Sequence, residues 1–462
     1  MKHLSYWLLC LFIGALSACS DDFLEVKPDD AVPIDSVLST PQQAQEFLNG
    51  AYDALRNKGF MGGNAWILSD MMADNIQGYN LGGDWLAHYT WTTDIFLGTT
   101  RDLLFNGSKT ISRGNFLLKN LDNIDGLSDA DKTRMRGEVL FLRGLSMFEL
   151  VRFFGQPYGY TADNSHPGIA IRTEYSRDTL NRSSVGDVYA QAIADLSEAA
   201  NTLPTENGVF ATSWAAKAYL AKVYFQMNDF AKAYQYADEV INGSGATLET
   251  DLTNRFGEGK SNETIFELVS TDLGNNSGGG LRDYYWIGPG ATIAAAQLSQ
   301  DIYGLATADP NDLRGQLWYK PIEGGAALLT QCTKFGYTTA INVPLAHLSE
   351  LKLIRAEAAA ELQNPIALQD LNDLRIRAGV QPIGNGTSFS DLITLIRAER
   401  RLELVAEGNR LHDLKRQAVR DLPNLKIRGI APWDCPGMVC QLPDNELRGN
   451  PNMEPNPAGG CY

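Results

Sequence analysis

Apolar and polar positions alternate with a helical period over much of this chain. Thr40 followed by Pro41 reads as an N-cap and a first helical residue, and Phe47, Tyr52 and Leu55 then recur near helical spacing. From about Asp129 to Phe154, the residues Leu140, Leu142, Leu145, Phe148, Val151 and Phe154 make one broad apolar face. Arg136, Glu138, Arg143, Glu149 and Arg152 fall outside that face and are expected to be its polar side, and Gly155 and Pro157 end the helix. Ser184 caps a helix that reaches Leu203, where Pro204 breaks it. Ser213 to Gln226 then sets Ala216, Tyr219, Leu220, Val223 and Tyr224 on one side with Met227 beyond, Asn228-Asp229 turns the chain, and Phe230 to Ile241 repeats the pattern through Ala233, Tyr234, Ala237 and Val240. Two further pairs are predicted: Ala346 to Leu362 with Pro365 to Ala378, and Phe389 to Glu407 leading towards Gln417.

Small alanines, aromatic knobs and a short turn over 213–241 resemble a tetratricopeptide repeat. One such hairpin cannot bury its own apolar face, so several must stack. The predicted fold is mainly α with little β: a tetratricopeptide-like helical-hairpin scaffold at about 41–57, 129–242 and 346–420, within a single domain spanning 41–462. Long irregular inserts at about 58–128 and 243–345 interrupt it, where Gly62-Gly63, Gly82-Gly83 and Gly278-Gly279-Gly280 break regular elements and only Thr264 to Val269 reads as a short strand. Long irregular segments inside a compact protein are as a rule functional or disordered. Their many aromatics argue against disorder, so a ligand site is expected on the inserts.

The N-terminus adds a location. Lys2 and His3 precede an apolar run from Tyr6 to Ala15, and Leu16-Ser17-Ala18 stands before Cys19. The run is too short to span a bilayer. It has the organisation of a secretory signal peptide, residues 1–18, with a lipobox at its end. Cys19 is then the expected first mature residue and the lipid anchor, the only membrane attachment expected. Residues 19–40, with Pro28 and Pro33, read as an extended tether. The formal charge of −16 argues against nucleic acid as a partner and also disfavours a strongly anionic ligand. Besides Cys10 and Cys19 there are Cys332, Cys435, Cys440 and Cys461, which are free to pair outside the cytoplasm. Cys435 and Cys440 flank Pro436-Gly437-Met438-Val439, a turn-forming insert suited to a small disulfide loop, and are the candidate pair. His88, His166, His347 and His412 are scattered, so no zinc site is expected.

Several segments, in order from residue 16 to residue 462, together resemble the SusD-like family, the RagB/SusD nutrient-binding outer-membrane lipoproteins. They are LSACSD with DFLEVKP, then RGEVLFLRGLSMFELVRFFGQPYG, AAKAYLAKVYFQMNDFAKAYQYADEVI, LIRAEAAAEL with LNDLRIRAGV, IRAERRLELVAEGNRLHDLKR, and the terminal LPDNELRGNPNMEPNPAGGCY. Departures are Gly137, where alanine is more usual, and Cys461 inside the terminal motif. The resemblance implies a helical scaffold whose loops carry the ligand surface, with a glycan as the commonest ligand and a peptide as the runner-up. It also implies a TonB-dependent outer-membrane transporter as partner, beneath the lipoprotein as lid, and no cofactor. Ser20-Asp21-Asp22 resembles the signal that sends such lipoproteins to the cell surface. A different class of reading, an extracytoplasmic tetratricopeptide-like scaffold that only holds proteins, would not need clustered loop tryptophans.

Sugars present polar hydroxyls around apolar C–H faces, so their receptors set flat aromatic rings against those faces and polar groups at the edge. Trp66, Tyr79, Trp85, Tyr89 and Trp91 form one candidate cluster, and Tyr284, Tyr285 and Trp286 with Trp318 form a second. Asp70, Asp74, Asn75 and Arg101 are the nearest hydrogen-bonding candidates in sequence, with Asn80 and Asp84 beside them. Trp85 and Trp286 are the leading choices, whereas Trp214, at a helix start, is expected to pack. Catalysis is not indicated: 55 Asp and Glu residues make some carboxylate pair available by chance, and no G-x-S-x-G or H-E-x-x-H occurs. GEGKS at 257–261 lacks the first glycine of a phosphate loop, with Asn254 in its place. The acidic run from Asp122 to Asp131 fails EF-hand spacing and reads as a solvated loop. Arg397, Arg400 and Arg401 share a helix with Glu399, Glu403 and Glu407, where ion pairing between residues four apart suffices as explanation.

Overall fold

The computed structural model describes residues 38–462 apart from 80, 258, 271–278, 287–295, 323–328 and 339. The signal peptide, Cys19 and the tether up to 37 lie outside the described residues.

Helix α1 (Pro41–Leu55) begins where the pattern places it. The Thr40 hydroxyl accepts from the Gln43 N–H at 3.3 Å while the Gln43 side chain accepts from the Thr40 N–H at 3.1 Å, a reciprocal cap that satisfies two orphan donors. Then come α2 (Asn64–Met72), strand β1 (Ile76–Gln77), α3 (Gly83–Tyr89) and α4 (Gly98–Asn120). The expectation that 58–128 is irregular is thus corrected: α4 alone runs 23 residues and packs between α1 and α5 (Asp129–Phe154). Its sequence conceals the helix because the buried positions include Thr100, Asn106, Gly107, Thr110, Gly114 and Asn115 in place of a clean apolar stripe. At Gly107 and Gly114 a Cβ would come within 2.8 Å of Leu150 and 2.7 Å of Val139, so close approach of α5 selects glycine there.

The limits of α5 agree with the pattern, but the expected polar side does not face solvent. Every residue from 137 to 154 is buried, because α1 and α4 lie on one flank and α6 (Val185–Thr202) on the other. The charged groups are satisfied internally: Arg143 pairs with Asp195 at 2.7 Å, Arg152 with Glu149, and Glu138 accepts from the Tyr52 hydroxyl at 2.8 Å. Gly137 and Gly144 let α6 close on α5, since a Cβ would stand 2.7 Å from Thr202 and 2.9 Å from Leu196. That contact accounts for the glycine at 137.

The hairpin α7 (Ser213–Gln226) and α8 (Phe230–Gly243) follows, capped by Thr212 and Asp229. Strand β2 (Thr264–Leu268) occupies the expected short strand and pairs antiparallel with β6 (Val343–His347). Between them lie α9 (Gly279–Tyr285), β3 (Gln297–Leu298), α10 (Gln300–Ala306), α11 (Leu313–Leu317), β4 (Tyr319–Pro321) and β5 (Thr330–Cys332). Strands β1, β3, β5 and β4 form one antiparallel sheet in that order, so Ile76 opposite Leu298 and Gln77 opposite Gln297 join the first insert to the second. The scaffold resumes with α12 (Leu348–Glu361), which packs on α8, α13 (Ile366–Arg377) and α14 (Phe389–Glu403). Helix α15 (Arg410–Arg420) lies against α2 and α7, and the hairpin β7 (Lys426–Ile427) to β8 (Ala431–Pro432) and α16 (Asp444–Gly449) complete the chain.

Two further expectations are corrected. The α14 arginines and glutamates do not pair along their own helix. Arg397 meets Glu357 at 2.9 Å, Arg400 meets Asp413 at 2.8 Å and Arg401 meets Asp301 at 2.7 Å. Glu399, Glu403 and Glu407 instead engage Arg255, Arg314, Arg375, Arg377, Lys334 and His347 from other elements, because α13, β6 and the second insert pack against them. The disulfide is also different: Cys435 bonds Cys461, with Cα atoms 5.3 Å apart, while Cys440 and Cys332 are buried free thiols. The tight turn Pro436–Met438 carries Cys440 inward, where its N–H donates to the Phe153 carbonyl at 2.8 Å, away from Cys435.

Candidate ligand surface on the inserts

Helix α3 sets Trp85 and Tyr89 one turn apart on the same face. Tyr284 of α9 meets Trp85 edge-on, with ring centroids 4.7 Å apart, and the indole N–H donates to the tyrosine hydroxyl. Both rings are half-buried, which gives them a fixed pose and leaves part of each accessible. Tyr79 and Leu86 nearby are 39% and 44% exposed. Behind them His88 is enclosed, and burial lowers its pKa to about 4, so it is neutral; its Nε2 contacts the Thr99 hydroxyl at 2.7 Å. The Asp84 carboxylate accepts from the Thr99 N–H at 2.8 Å at the start of α4, tying the two helices together. Arg101 is exposed and pairs with its neighbour Asp102 at 3.2 Å.

Trp286 follows α9, half-buried over Gly336, where a Cβ would come within 2.6 Å of the indole nitrogen. The Arg282 guanidinium lies 4.6 Å from its ring centroid. A second arginine stacks in the same way. Arg428 sits between Tyr89 and Trp91, 3.7 and 3.8 Å from their centroids, and donates to the Tyr89 carbonyl. Arg428 and Gly429, at the tip of the β7–β8 hairpin, have φ of 51° and 75°. The left-handed region suits the twist of a hairpin turn but costs a non-glycine residue about 1–2 kcal/mol, which the stacking offsets.

The other sequence candidates face inward or are bound by side chains of the chain itself. Trp66 is 6% exposed and lies against Gly408, and Trp91 is 1% exposed with its indole N–H donating to the Met72 carbonyl at 2.9 Å. Trp318 is fully enclosed with the Lys334 ammonium 4.2 Å from its ring. Asn75 accepts from Arg401 at 2.9 Å, and Asp74 is bound by Arg410 at 2.7 Å; burial alone would raise the Asp74 pKa, but these arginines hold it below the usual value. Tyr285 points inward, opposite to Tyr284, and donates to Asp70 at 2.9 Å. A ring beside glycines in the sequence is as readily a core anchor as an exposed platform.

Asp70 yields a pH prediction. Burial raises its pKa from 3.8 to about 7, the Tyr285 hydrogen bond opposing the shift. Its folded pKa exceeds its unfolded value, so ionising it opposes folding. Stability is expected to fall by on the order of 3 kcal/mol as pH rises from about 4 to about 7. Denaturant titrations across that range should show this slope flattened in Asp70→Asn; an unchanged slope would sink the assignment.

Cavities also border β2. Trp214 packs on Gly243 as expected and, with Ser261 and Asn262, lines one of about 280 Å³, while Tyr52, Val209, Phe210 and Glu267 line an apolar one of about 310 Å³. Neither includes a ring from either predicted aromatic cluster. Among the described residues no group of three or more His, Cys, Asp or Glu side chains is placed to hold a metal ion, and no helix is long and apolar enough to cross a membrane.

Residues 22–225 match a family described as starch-binding, associating with the outer membrane, and residues 299–458 match the SusD family. The chain belongs to the SusD-like family. SusD-like protein P2 of Formosa agariphila is 25% identical over 99% of this chain and 100% of its own. A SusD superfamily structure from Bacteroides thetaiotaomicron superposes with a TM-score of 0.81 at 27% identity, covering 90% of this chain and 100% of that one. A laminarin-binding SusD-like protein has the same fold, with a TM-score of 0.74 at 20% identity over 91% of this chain and 100% of its own. For this SusD-like protein, sequence reasoning missed Arg282 and Arg428. The four-residue spacing of Arg282 and Trp286 on a helix was a usable signal; the contact between residues 428 and 89 had none.

Proposed function

We propose that this SusD-like protein is a cell-surface lipoprotein, anchored through Cys19, that binds a glycan without cleaving it and passes it to a TonB-dependent outer-membrane transporter. The observation that carries the glycan reading is the partly exposed set of Trp85 and Tyr89 on α3, Tyr284 on α9 and Trp286 just after it, with exposed Tyr79. Fixed rings suit the apolar faces of sugars and lose little rotamer entropy on binding. An open surface suits a polymer that continues past the site. The lipobox and the family described as associating with the outer membrane support the location.

The test is affinity electrophoresis of the protein without its leader and with Cys19 replaced, through gels containing single polysaccharides, laminarin among them. Retardation by at least one glycan without new reducing ends supports the reading. Trp85→Ala should weaken that retardation about tenfold, as loss of a buried aromatic contact commonly does, with its thermal midpoint little changed. Retention by peptides alone, or by nothing, would overturn it.

A further inference from the structure

Two arginines border the aromatic surface, from α9 and from the β7–β8 hairpin. Arg282 stacks on Trp286 and Arg428 on Tyr89 and Trp91. Both are half-buried, each has an enclosed Nε without a partner, and among the described residues neither forms an ion pair. Arg255, Arg377 and Arg416 in the interior also carry an unpartnered Nε, so the difference lies in charge pairing. Arg255, Arg314, Arg377, Arg400 and Arg416 each meet a carboxylate. Among the described residues, the acidic groups near the surface are engaged elsewhere or turned away. Asp74, whose field reaches Arg428, is held by Arg410 and stands 3.5 Å from Arg401; Asp84 accepts from Thr99; and exposed Asp283 is one residue beyond Arg282, roughly 100° round the helix. A ring supplies only part of the compensation a desolvated guanidinium needs. With Nε enclosed and, in Arg428, Nη2 on the Tyr89 carbonyl, the Nη groups are what each guanidinium has left to donate to a carboxylate or sulfate.

Resting on the glycan reading above, we propose that the ligand is an acidic glycan, whose carboxylate or sulfate groups are held by Arg282 and Arg428 while its sugar rings lie on Trp85, Tyr284 and Trp286. The formal charge of −16 opposes polyanions at long range. That repulsion is screened beyond about 10 Å at 0.1 M salt, whereas a half-buried contact pair is screened much less. The net charge therefore rejects polyanions that lack the fit to rings and arginines together.

The experiment uses the same leaderless protein in gels of polygalacturonate and alginate, which carry carboxylates, of carrageenan and dextran sulfate, which carry sulfates, and of neutral laminarin, dextran and galactan. We expect retention by an acidic gel, weakened about tenfold by about 0.3 M salt and about tenfold by Arg282→Gln at an unchanged thermal midpoint. Retention confined to carboxylate or to sulfate gels names the group. Retention by neutral gels with Arg282→Gln unaffected overturns the acidic ligand and leaves the glycan reading standing. Retention by acidic gels that neither Arg282→Gln nor Arg428→Gln changes is nonspecific ion exchange and overturns it equally. No retention by any gel removes both.

Discussion

Glu403→Ala is expected to destabilise the protein by about 3–5 kcal/mol, the usual consequence of removing one partner from a buried ionic network. Glu403 of α14 is fully buried and accepts from Arg255 at 2.5 Å, Arg377 of α13 at 2.5 Å and Arg314 of α11 at 3.1 Å. Without it, three guanidinium groups drawn from three parts of the chain would share the carboxylates Glu263, Glu407, Asp312 and Glu399 and, for Arg255 and Arg377, the Ser349 hydroxyl. Glu403→Gln, which keeps the shape and an acceptor, should lose less. Urea unfolding monitored by tryptophan fluorescence measures both, and a loss under about 1 kcal/mol for the alanine variant would mean that the network does not hold the insert to the scaffold. The same groups give an acid limit. Burial would raise the Glu407 pKa, but Lys334 and His347 lower it to about 2. Its folded pKa lies below its unfolded value, so the stability it contributes is present above about pH 4.5 and is lost as pH falls towards 2.

Cys435→Ser is expected to cost about 3 kcal/mol, from the chain entropy released when the Cys435–Cys461 crosslink, 26 residues apart in sequence, is opened. The crosslink draws the C-terminal tail back beside Trp91, where Gly437 lies so close that a Cβ would stand 2.0 Å from the Trp91 carbonyl oxygen, and where the Tyr462 ring comes within 5.9 Å of the indole. Cys440→Ser removes no crosslink and should cost roughly 1 kcal/mol. Thiol titration of the unfolded, unreduced leaderless protein with Cys19 replaced should report only Cys332 and Cys440, and alkylation mapping should place the label on them. Label on Cys461 would overturn the pairing.

How far the sequence carried depended on whether the relevant forces were local. Caps at Thr40 and Ser184 and the limits of α5 and α7 were legible because a cap and an apolar period act within a few residues. Helix α4 was missed because Thr, Asn and Gly fitted to α5 interrupt the apolar residues of its buried face, a fit that exists only once α5 is in place. At the candidate surface, residue type identified the aromatic clusters, but neighbouring rings diverged. Tyr284 faces Trp85 while Tyr285 turns to Asp70, since successive residues on α9 lie about 100° apart and only the packing of α9 on α2 decides which is inside.

The sequence by itself determined a mainly helical, hairpin-based SusD-like chain with aromatic-rich inserts, through periodicity, capping and the ordered motifs along its length. Tertiary structure alone decided that the charges of α5 and α14 are internal, that Cys435 pairs with Cys461, and that Arg282 and Arg428 rest on aromatic rings. The physical reason is the same for all three. Partner choice for a charge or a thiol is settled by which distant segment arrives within a few ångströms, and helical period contains no term for that distance.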